Sequence, residues 1–356
     1  MVDIIRLLIE HGIDVNCVEI SGWDVYHKLC KTYKENSLKD FTKKKRWNPL
    51  HILCSNYHNE NLIEIVRLLI TGGIDVNSKE DGGRNALHFL CCKYKRDNLI
   101  NIIRLLIERG IDVNAKDNHG LNSLHILLCS FYDLGILIEE QWTIQMYMFC
   151  NNFEQKNLLD IIRLLLESGI DINSQNNDGY NAFHTLCANV DKNDSVNIMQ
   201  LFIANGININ CKTHQGLTCL HVLCSNFPQN NFIDITRLIL ASGFDINSKD
   251  NDGCNVLHLL CSRYKQDDLI EIVRIFIQYG IDVSSKNKNG WNALHFLCNN
   301  YPKENLLNLV RLLIQHNIDK NVWTTKLQIG NARSFLLKRY KKNEVCDILQ
   351  ILDSQE

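Results

Sequence analysis

The clearest pattern of apolar and polar positions lies in the segment 98–108. Its apolar residues recur at intervals of three and four, and they are Leu99, Ile102, Ile103, Leu106 and Ile107. Such spacing places these side chains on one face of a helix, and the polar residues between them, including Arg104, on the other. The pattern therefore predicts an amphipathic helix, and Gly110 directly after it is a typical helix stop.

A shorter apolar phrase, Asn85–Cys91, precedes this segment and predicts a first helix, with a polar connector between the two. After Gly110, Ile111–Asn114 alternates apolar and polar residues, which predicts a short strand ahead of the polar turn 116–120. Each unit is thus expected to be a helix, a connector, a second helix and a hairpin-like turn.

This unit repeats along the chain with a period of 37 residues. The histidines that mark the period are His51, His88 and His125, and then His184, His221, His258 and His295. A weaker copy contains His27, which is 24 residues before His51, and the interval from His125 to His184 is 59 residues. One unit is therefore shortened and one is interrupted, within a sequence pattern typical of solenoid proteins.

The repeated phrases resemble the ankyrin repeat family. Asn-Ala-Leu-His stands where the family has Thr-Pro-Leu-His, and Gly-Ile-Asp-Val-Asn where it has Gly-Ala-Asp-Val-Asn. The family's unit has about 33 residues, so the four extra residues fit best in the connector between the helices. The resemblance implies an all-α solenoid of stacked helix-turn-helix units joined by β-hairpin-like turns. It also implies that hairpin tips and first helices form a concave face that binds proteins.

The period divides the whole chain into segments. They are a partial repeat at 1–18, a shortened repeat at 19–42, repeats at 43–79 and 80–116, an interrupted repeat at 117–175 with extra residues near 128–149, repeats at 176–212, 213–249, 250–286 and 287–323, and C-terminal capping helices at 324–356.

Two of these segments have more than one interpretation. The sequence opens inside a second helix, which indicates a truncated gene model or a fragment, or else a genuine start with a frayed first helix. The extra residues near 128–149 include many apolar side chains. They predict an added helix packed on its neighbours, or retained non-coding sequence, or an apolar docking element.

Composition narrows the class of protein. The 38 Lys and Arg residues nearly balance the 40 Asp and Glu residues, so no overall field favours nucleic acid or a membrane as partner. The basic run 43–46 is expected to be a solvated loop, and contact with RNA or a phosphorylated partner is the alternative. Fifteen cysteines without a secretory signal indicate reduced thiols and a cytoplasmic protein.

A His-x-x-Cys pair recurs in seven units, and two such side chains on one helix face could supply half of a zinc site. No Cys-x-x-Cys motif supplies the other ligands, so we expect no metal and no cofactor. The resemblance implies instead that the histidine is a structural hydrogen-bonding residue. No phosphate-binding loop, nucleophile elbow or zinc-protease motif is present in the sequence, which predicts that the chain is not an enzyme.

Residues that hold a partner should vary between repeats, whereas residues that hold the stack should not. One variable position lies at the turn, and its candidate partner-binding residues are Trp23, Trp47, Arg84, Leu121, Tyr180, Leu217 and Trp291, with Cys254 in the same series. Partly exposed aromatic residues dominate many protein interfaces. Packing against the next repeat's turn is the alternative. On the first interpretation, Trp291→Ala spares the fold, whereas Leu257→Ala unfolds its repeat locally.

The resulting hypothesis is a non-catalytic scaffold or adaptor that binds one or more proteins and is monomeric unless its open N-terminal edge self-associates. The alternative hypothesis is that the chain is the ankyrin segment of a longer enzyme, channel or ubiquitin-ligase adaptor.

Overall fold

The computed structural model describes residues 2–12, 14–16, 47–56, 61–93, 98–128, 157–189, 194–226, 231–266, 268–324 and 330–354. Trp23, the shortened repeat at 19–42, the basic run 43–46 and nearly all of the extra segment near 128–149 lie outside these residues.

The described residues form α-helices and one short 3-10 helix, with no β-strand among them. In chain order the helices are α1 Val2–Glu10, α2 Pro49–Asn56, α3 Leu62–Thr71, α4 Ala86–Lys93, α5 Leu99–Glu108, α6 Ser123–Leu128, α7 Leu158–Glu167, α8 Ala182–Ala188, α9 Ser195–Ala204, α10 Cys219–Asn226, α11 Phe232–Ala241, α12 Val256–Arg263, α13 Leu269–Gln278, α14 Ala293–Asn300, α15 Lys303–Gln315, α16 Ala332–Arg339 and α17 Cys346–Asp353. The predicted all-α fold class is therefore confirmed for this part of the chain.

The structure divides into two compact units, which we call unit 1, Met1–Ile207, and unit 2, Asn208–Glu356. In unit 1 the first helices pack in the order α2, α4, α6, α8, and the second helices in the order α1, α3, α5, α7. In unit 2 the first helices pack in the order α10, α12, α14, α16. Because each helix pair buries its apolar side chains largely against the next pair, stability comes from the contacts between repeats.

The second helices bury one face, as the periodicity predicts, but the face is rotated by about one position. In α5 the fully buried residues are Leu99, Ile102, Ile103, Leu105 and Leu106, while Ile107 is only half-buried. The first helix and the following repeat contact α5 on two sides, which widens the buried face toward Leu105. Burying one such side chain stabilises the fold by about 1.5–3 kcal/mol.

The predicted strand at Ile111–Asn114 is wrong, because Ile111 and Asp112 have no regular secondary structure and Val113 and Asn114 form a turn. Gly110 has the left-handed φ of +80° that ends α5, and the amide of Ile111 then donates to the carbonyl of Leu106, 3.0 Å away. The amide of Asn114 donates to the carboxylate of Asp112 at 2.9 Å. These local bonds occupy the backbone groups that a strand pairing would need.

The two predicted C-terminal helices are present as α16 and α17. The side chain of Arg333 on α16 donates to Asp353 on α17 at 2.8 Å. The aromatic ring of Phe335 packs 4.7 Å from the ring of Trp291, centre to centre, in the preceding repeat.

Candidate protein-interaction surface

The repeated histidine is part of the fold. In the repeat of α12, the amide of Asn255 donates to Nδ1 of His258 at 3.0 Å, and the amide of His258 donates to the side-chain oxygen of Asn255 at 3.2 Å. This reciprocal pair caps the start of α12. Nε2 of His258 lies 3.0 Å from the carbonyl of Ser285 in the next repeat and donates to it, since Nδ1 is the acceptor. The histidine thus joins neighbouring repeats, which confirms its structural interpretation.

Burial keeps these rings neutral. Desolvation lowers the pKa of His258 from 6.5 to about 4, although the hydrogen bond to Ser285 partly opposes the shift. The pKa values of His51, His88, His125 and His295 are lowered to about 4 by the same cause. In these bonded pairs both nitrogens of the ring are occupied within the protein.

The cysteine three residues after the histidine is also a core residue. Cys91 is fully buried, and desolvation raises the pKa of its thiol to about 12, so it is protonated at neutral pH. Within the described ranges, no group of three or more His, Cys, Asp or Glu side chains is placed to hold a metal ion. Most described cysteines are free thiols. Cys92 is disulfide-bonded, so the expectation of reduced thiols is wrong for this residue.

The hairpin tips are held by side chains two residues before the Asp-Gly and Asn-Gly pairs. The carboxylate of Asp250 accepts hydrogen bonds from the amides of Asp252 and Cys254, at 2.9 and 2.8 Å. Gly253 has a positive φ of +77°. The side chain that caps this turn is therefore Asp250, which accepts both amide bonds, and not Asp252 of the Asp-Gly pair.

We call the candidate partner-binding residues at the variable turn position the tip residues, and in unit 1 they are largely buried. Trp47 is 4% exposed, Arg84 7% and Leu121 3%. The ring of Trp47 lies 4.8 Å from the ring of Phe89 in the next repeat, and the guanidinium of Arg84 lies 3.6 Å from the carboxylate of Glu80. The expectation of partly exposed tips is therefore wrong for these three residues, because each packs within the stack. Tyr180 is half-buried.

The tip residues of unit 2 are more open. Leu217, Cys254 and Trp291 are all half-buried rather than buried. The ring of Trp291 lies 5.0 Å from the ring of Phe296 on α14. Packing and partial exposure thus coexist at this tip, where the sequence offered them as alternatives.

Two residues on the first helices extend this open region, and sequence reasoning missed them. Leu259 on α12 and Phe296 on α14 are half-buried, whereas their equivalents in unit 1, Phe89 and Ile126, are buried. Their signal was present in the sequence, because the residue directly after the repeated histidine also varies between copies. We give the name groove strip to the half-buried apolar residues of unit 2 at two repeat positions, the variable turn position and the position directly after the histidine. They are Leu217, Cys254, Leu259, Trp291 and Phe296.

Helix pairs stacked in register, with capped first helices and glycine-ended second helices, define a helical repeat protein. A family model described as ankyrin repeats matches the chain in three copies, over residues 24–117, 147–250 and 228–323. The chain belongs to the ankyrin-repeat family, since these matches cover well over half of it. Ankyrin repeats are generally protein-interaction modules, and the family is typically non-catalytic.

A search of curated proteins found no significant match to the chain. Among the helices that the structure describes, none has both the length and the apolar character that a bilayer crossing requires.

Proposed function

We propose that the chain is a non-catalytic adaptor that binds another protein through the groove strip of unit 2. The observation that carries this proposal is the difference between the units. Five apolar side chains remain half-buried in unit 2 at repeat positions that are mainly buried in unit 1. Aromatic side chains such as Trp291 are enriched at the energetic centres of protein interfaces, and exposed apolar patches often mark interaction sites.

Of the residues expected from the sequence, this proposal retains Leu217 and Trp291. Tyr180, which is half-buried in unit 1, stays a separate prediction. The proposal leaves out Trp47, Arg84 and Leu121, because a side chain buried in the stack offers little surface to a partner. A cytoplasmic location is part of the proposal, and the free thiols of most described cysteines favour it. Membership of a longer protein stays a prediction.

The test compares two double variants that remove similar apolar groups from opposite sides of unit 2. The groove variant carries Leu217→Ser and Leu259→Ser. The control variant carries Leu238→Ser and Ile277→Ser, two half-buried residues on the second helices α11 and α13. Circular dichroism and thermal melting would first establish that both variants fold, and Leu217→Ser alone replaces the groove variant if it does not.

Crosslinked partners are then captured from extracts of the cells that express the gene, with wild type and both variants as bait. We expect a protein that the wild type and the control variant retain and that the groove variant loses. Equal capture by the groove variant and the wild type would contradict a role for the strip.

A further inference from the structure

A dense run of basic residues lies near the C-terminal end of unit 2. Residues 333–343 include five Lys and Arg and no Asp or Glu. The run covers most of α16 and the start of the 3-10 helix Lys342–Glu344. Residues 208–356 as a whole contain 17 Lys and Arg against 14 Asp and Glu. The basic excess of unit 2 therefore comes from this run.

The fold brings a further lysine beside the run. The guanidinium of Arg339 and the hydroxyl of Tyr340 both donate to the carbonyl of Tyr301, at 2.5 and 3.5 Å. Tyr301 follows α14 directly, and α15 begins two residues later at Lys303. We give the name cap cluster to the exposed basic residues at this junction, which are Lys303, Arg339, Lys341 and Lys342.

The charges of the cap cluster are not neutralised inside the protein. None of its residues forms an ion pair within the part of the chain that the structure describes. Arg339 donates to an uncharged carbonyl, so its charge remains. Arg333 is not counted in the cluster, because it pairs with Asp353, and neither is Lys338, which lies over an aromatic ring.

The acidic residues nearest in sequence have roles of their own in the fold. The carboxylate of Glu344 accepts the backbone amide of Lys341 at 2.9 Å. Glu304 and Asp347 stand in the first turns of α15 and α17, where a negative charge interacts favourably with the helix dipole. These carboxylates weaken the field of the cap cluster, but they form no ion pair with its lysines.

The surroundings of the cap cluster favour a protein partner over nucleic acid. Proteins that bind single-stranded nucleic acid use open aromatic rings on which the bases stack. Here Tyr301 is buried, and the guanidinium of Arg339 lies over the ring of Tyr340, 5.0 Å from its centre. The aromatic rings beside the basic residues therefore offer no open stacking surface.

A membrane surface is disfavoured for a different reason. Peripheral binding to a bilayer combines basic residues with an exposed apolar face. The exposed large apolar residues that the structure describes in unit 2 are Tyr279 and Trp323, and neither belongs to α16, the 3-10 helix or α17. Carboxylates of a protein segment remain as the anionic groups that Lys and Arg bind through charge-assisted hydrogen bonds.

We infer that the cap cluster is a second interaction surface, which takes a protein segment rich in Asp and Glu. This inference goes beyond the proposed function, because the cap cluster shares no residue with the groove strip. A basic surface of this kind steers acidic partners toward the protein and discriminates against basic ones.

The test measures the binding of four probes to the full chain. One peptide of about twelve residues alternates Glu with Gly and Ser, so that it offers no large apolar side chain to the groove strip. A second peptide has Lys at every Glu. The other probes are an oligothymidylate of similar length and vesicles that contain phosphatidylserine. Fluorescence anisotropy measures the first three affinities, and cosedimentation measures the fourth.

Two charge variants locate the binding site. The cap variant carries Lys341→Glu and Lys342→Glu. Its control carries Arg237→Glu and Arg274→Glu, which make the same change of net charge at exposed positions of α11 and α13. Circular dichroism would establish that both variants fold, and Lys341→Gln with Lys342→Gln replaces the cap variant if it does not.

We expect the Glu peptide to bind most tightly of the four probes, and more weakly as salt is raised. The cap variant should lose roughly tenfold in affinity for it, because two attractive pairs become repulsive at a partly screened surface. The control should change by less than about twofold, because at least one repeat separates its charges from the cap cluster.

The Lys peptide, the oligothymidylate or the vesicles binding as tightly as the Glu peptide would overturn the inference, as would equal losses in both charge variants. The groove variant with Leu217→Ser and Leu259→Ser should bind the Glu peptide like the wild type. A loss there as large as in the cap variant would assign the peptide to the groove strip instead. Partner capture by the groove variant tests the proposed function separately, so the two ideas can fail independently.

Discussion

The environment of a tip residue depends on the repeat that follows it. Trp47 packs on Phe89 and is almost wholly buried, whereas Trp291 packs on Phe296 and Phe335 and keeps part of its surface open. The same residue type at the same repeat position therefore holds the stack in unit 1, and in unit 2 both holds the stack and presents a surface.

This packing changes what is expected of Trp291→Ala. The substitution removes contacts with two aromatic rings, so we expect it to destabilise unit 2 by about 2 kcal/mol. This is less than the roughly 3–5 kcal/mol lost when a buried tryptophan is truncated, because Trp291 is only half-buried. Leu257→Ala, at a residue that is 1% exposed, should cost about 3 kcal/mol. Urea denaturation would measure both free energies of unfolding. It should be followed by far-ultraviolet circular dichroism, a signal that does not rely on the tryptophan being removed.

Trp291→Phe is the matched control, since it keeps an aromatic ring against Phe335 and should recover most of the stability. A Trp291→Ala variant as stable as the wild type would mean that the ring contacts contribute nothing. The sequence-based expectation that Trp291→Ala spares the fold would then hold after all.

At the scale of single residues, the sequence predicts well which repeated residues belong to the core. It predicts poorly how deeply the variable residues are buried. The core roles of His258 and Leu257 follow from their repetition in register. The burial of Arg84 could not be predicted, because it depends on Glu80 folding back to within 3.6 Å of its guanidinium inside the same tip. Leu259 went unnoticed because neighbouring core residues of its helix are equally apolar.

Between elements, asparagine side chains connect each hairpin to the next. The amide of Asn247 donates to the carbonyl of Gly280 at 2.9 Å, and its oxygen accepts the backbone amide of Asp282 at 2.7 Å. Equivalent bonds join Asn77 to Gly110 and Asp112, and Asn114 to Gly169 and Asp171. The repeated Asp-x-Asn phrase is therefore a connection between repeats rather than a strand.

We expect Asn247→Ala to lower the stability of unit 2 by about 1–2 kcal/mol. Two hydrogen bonds between repeats are lost, and their backbone partners then form hydrogen bonds with water instead. The local consequence is faster hydrogen exchange at the amide of Asp282, which would lose its acceptor. Mass spectrometry or NMR of exchange would measure it.

Asn226→Ala provides the matched control, since Asn226 is an exposed residue in the last turn of α10. It should leave the hydrogen-exchange rate of the Asp282 amide unchanged. Unchanged protection of Asp282 in Asn247→Ala would show that the bond is replaced or absent in solution.

The sequence predicted the helices of each repeat and their order, since the 3.6-residue periodicity and the glycine stops are local signals. It failed at Ile111–Asn114, because alternation over four residues is also produced by a turn that buries Ile111 and Val113. The turn is distinguished from a strand by its local hydrogen bonds, from the amide of Ile111 to Leu106 and from the amide of Asn114 to Asp112.

Across the whole molecule, the neutral buried histidines couple stability to pH. Their pKa values of about 4 in the folded state lie below the 6.5 of an exposed histidine, so the unfolded chain binds more protons between these values. The stability they contribute is therefore complete above about pH 6.5 and decreases as the pH falls toward 4.

We expect each such histidine to cost about 1 kcal/mol of stability at pH 5.5 relative to neutral pH. Because several act together, urea midpoints should fall steeply between pH 6.5 and 5. The slope of the free energy of unfolding against pH reports how many more protons the unfolded chain binds than the folded chain. In His258→Gln this number should fall by about one, whatever the effect of the substitution on stability at neutral pH.

A midpoint that stays constant from pH 7 to 5 would contradict this arrangement, since it would require the histidines to protonate without unfolding the repeats. An unchanged slope in His258→Gln would exclude that residue from the effect.

The sequence by itself determined the repeat unit, its period, the ankyrin family and the helix boundaries to within a few residues, because each follows from signals within one unit. The tertiary structure decided which tip residues are buried and how asparagines and histidines join successive repeats. Most of these features depend on contacts between successive repeats, such as His258 with Ser285 and Asn247 with Gly280, and the apolar pattern of a single repeat carries no information about them.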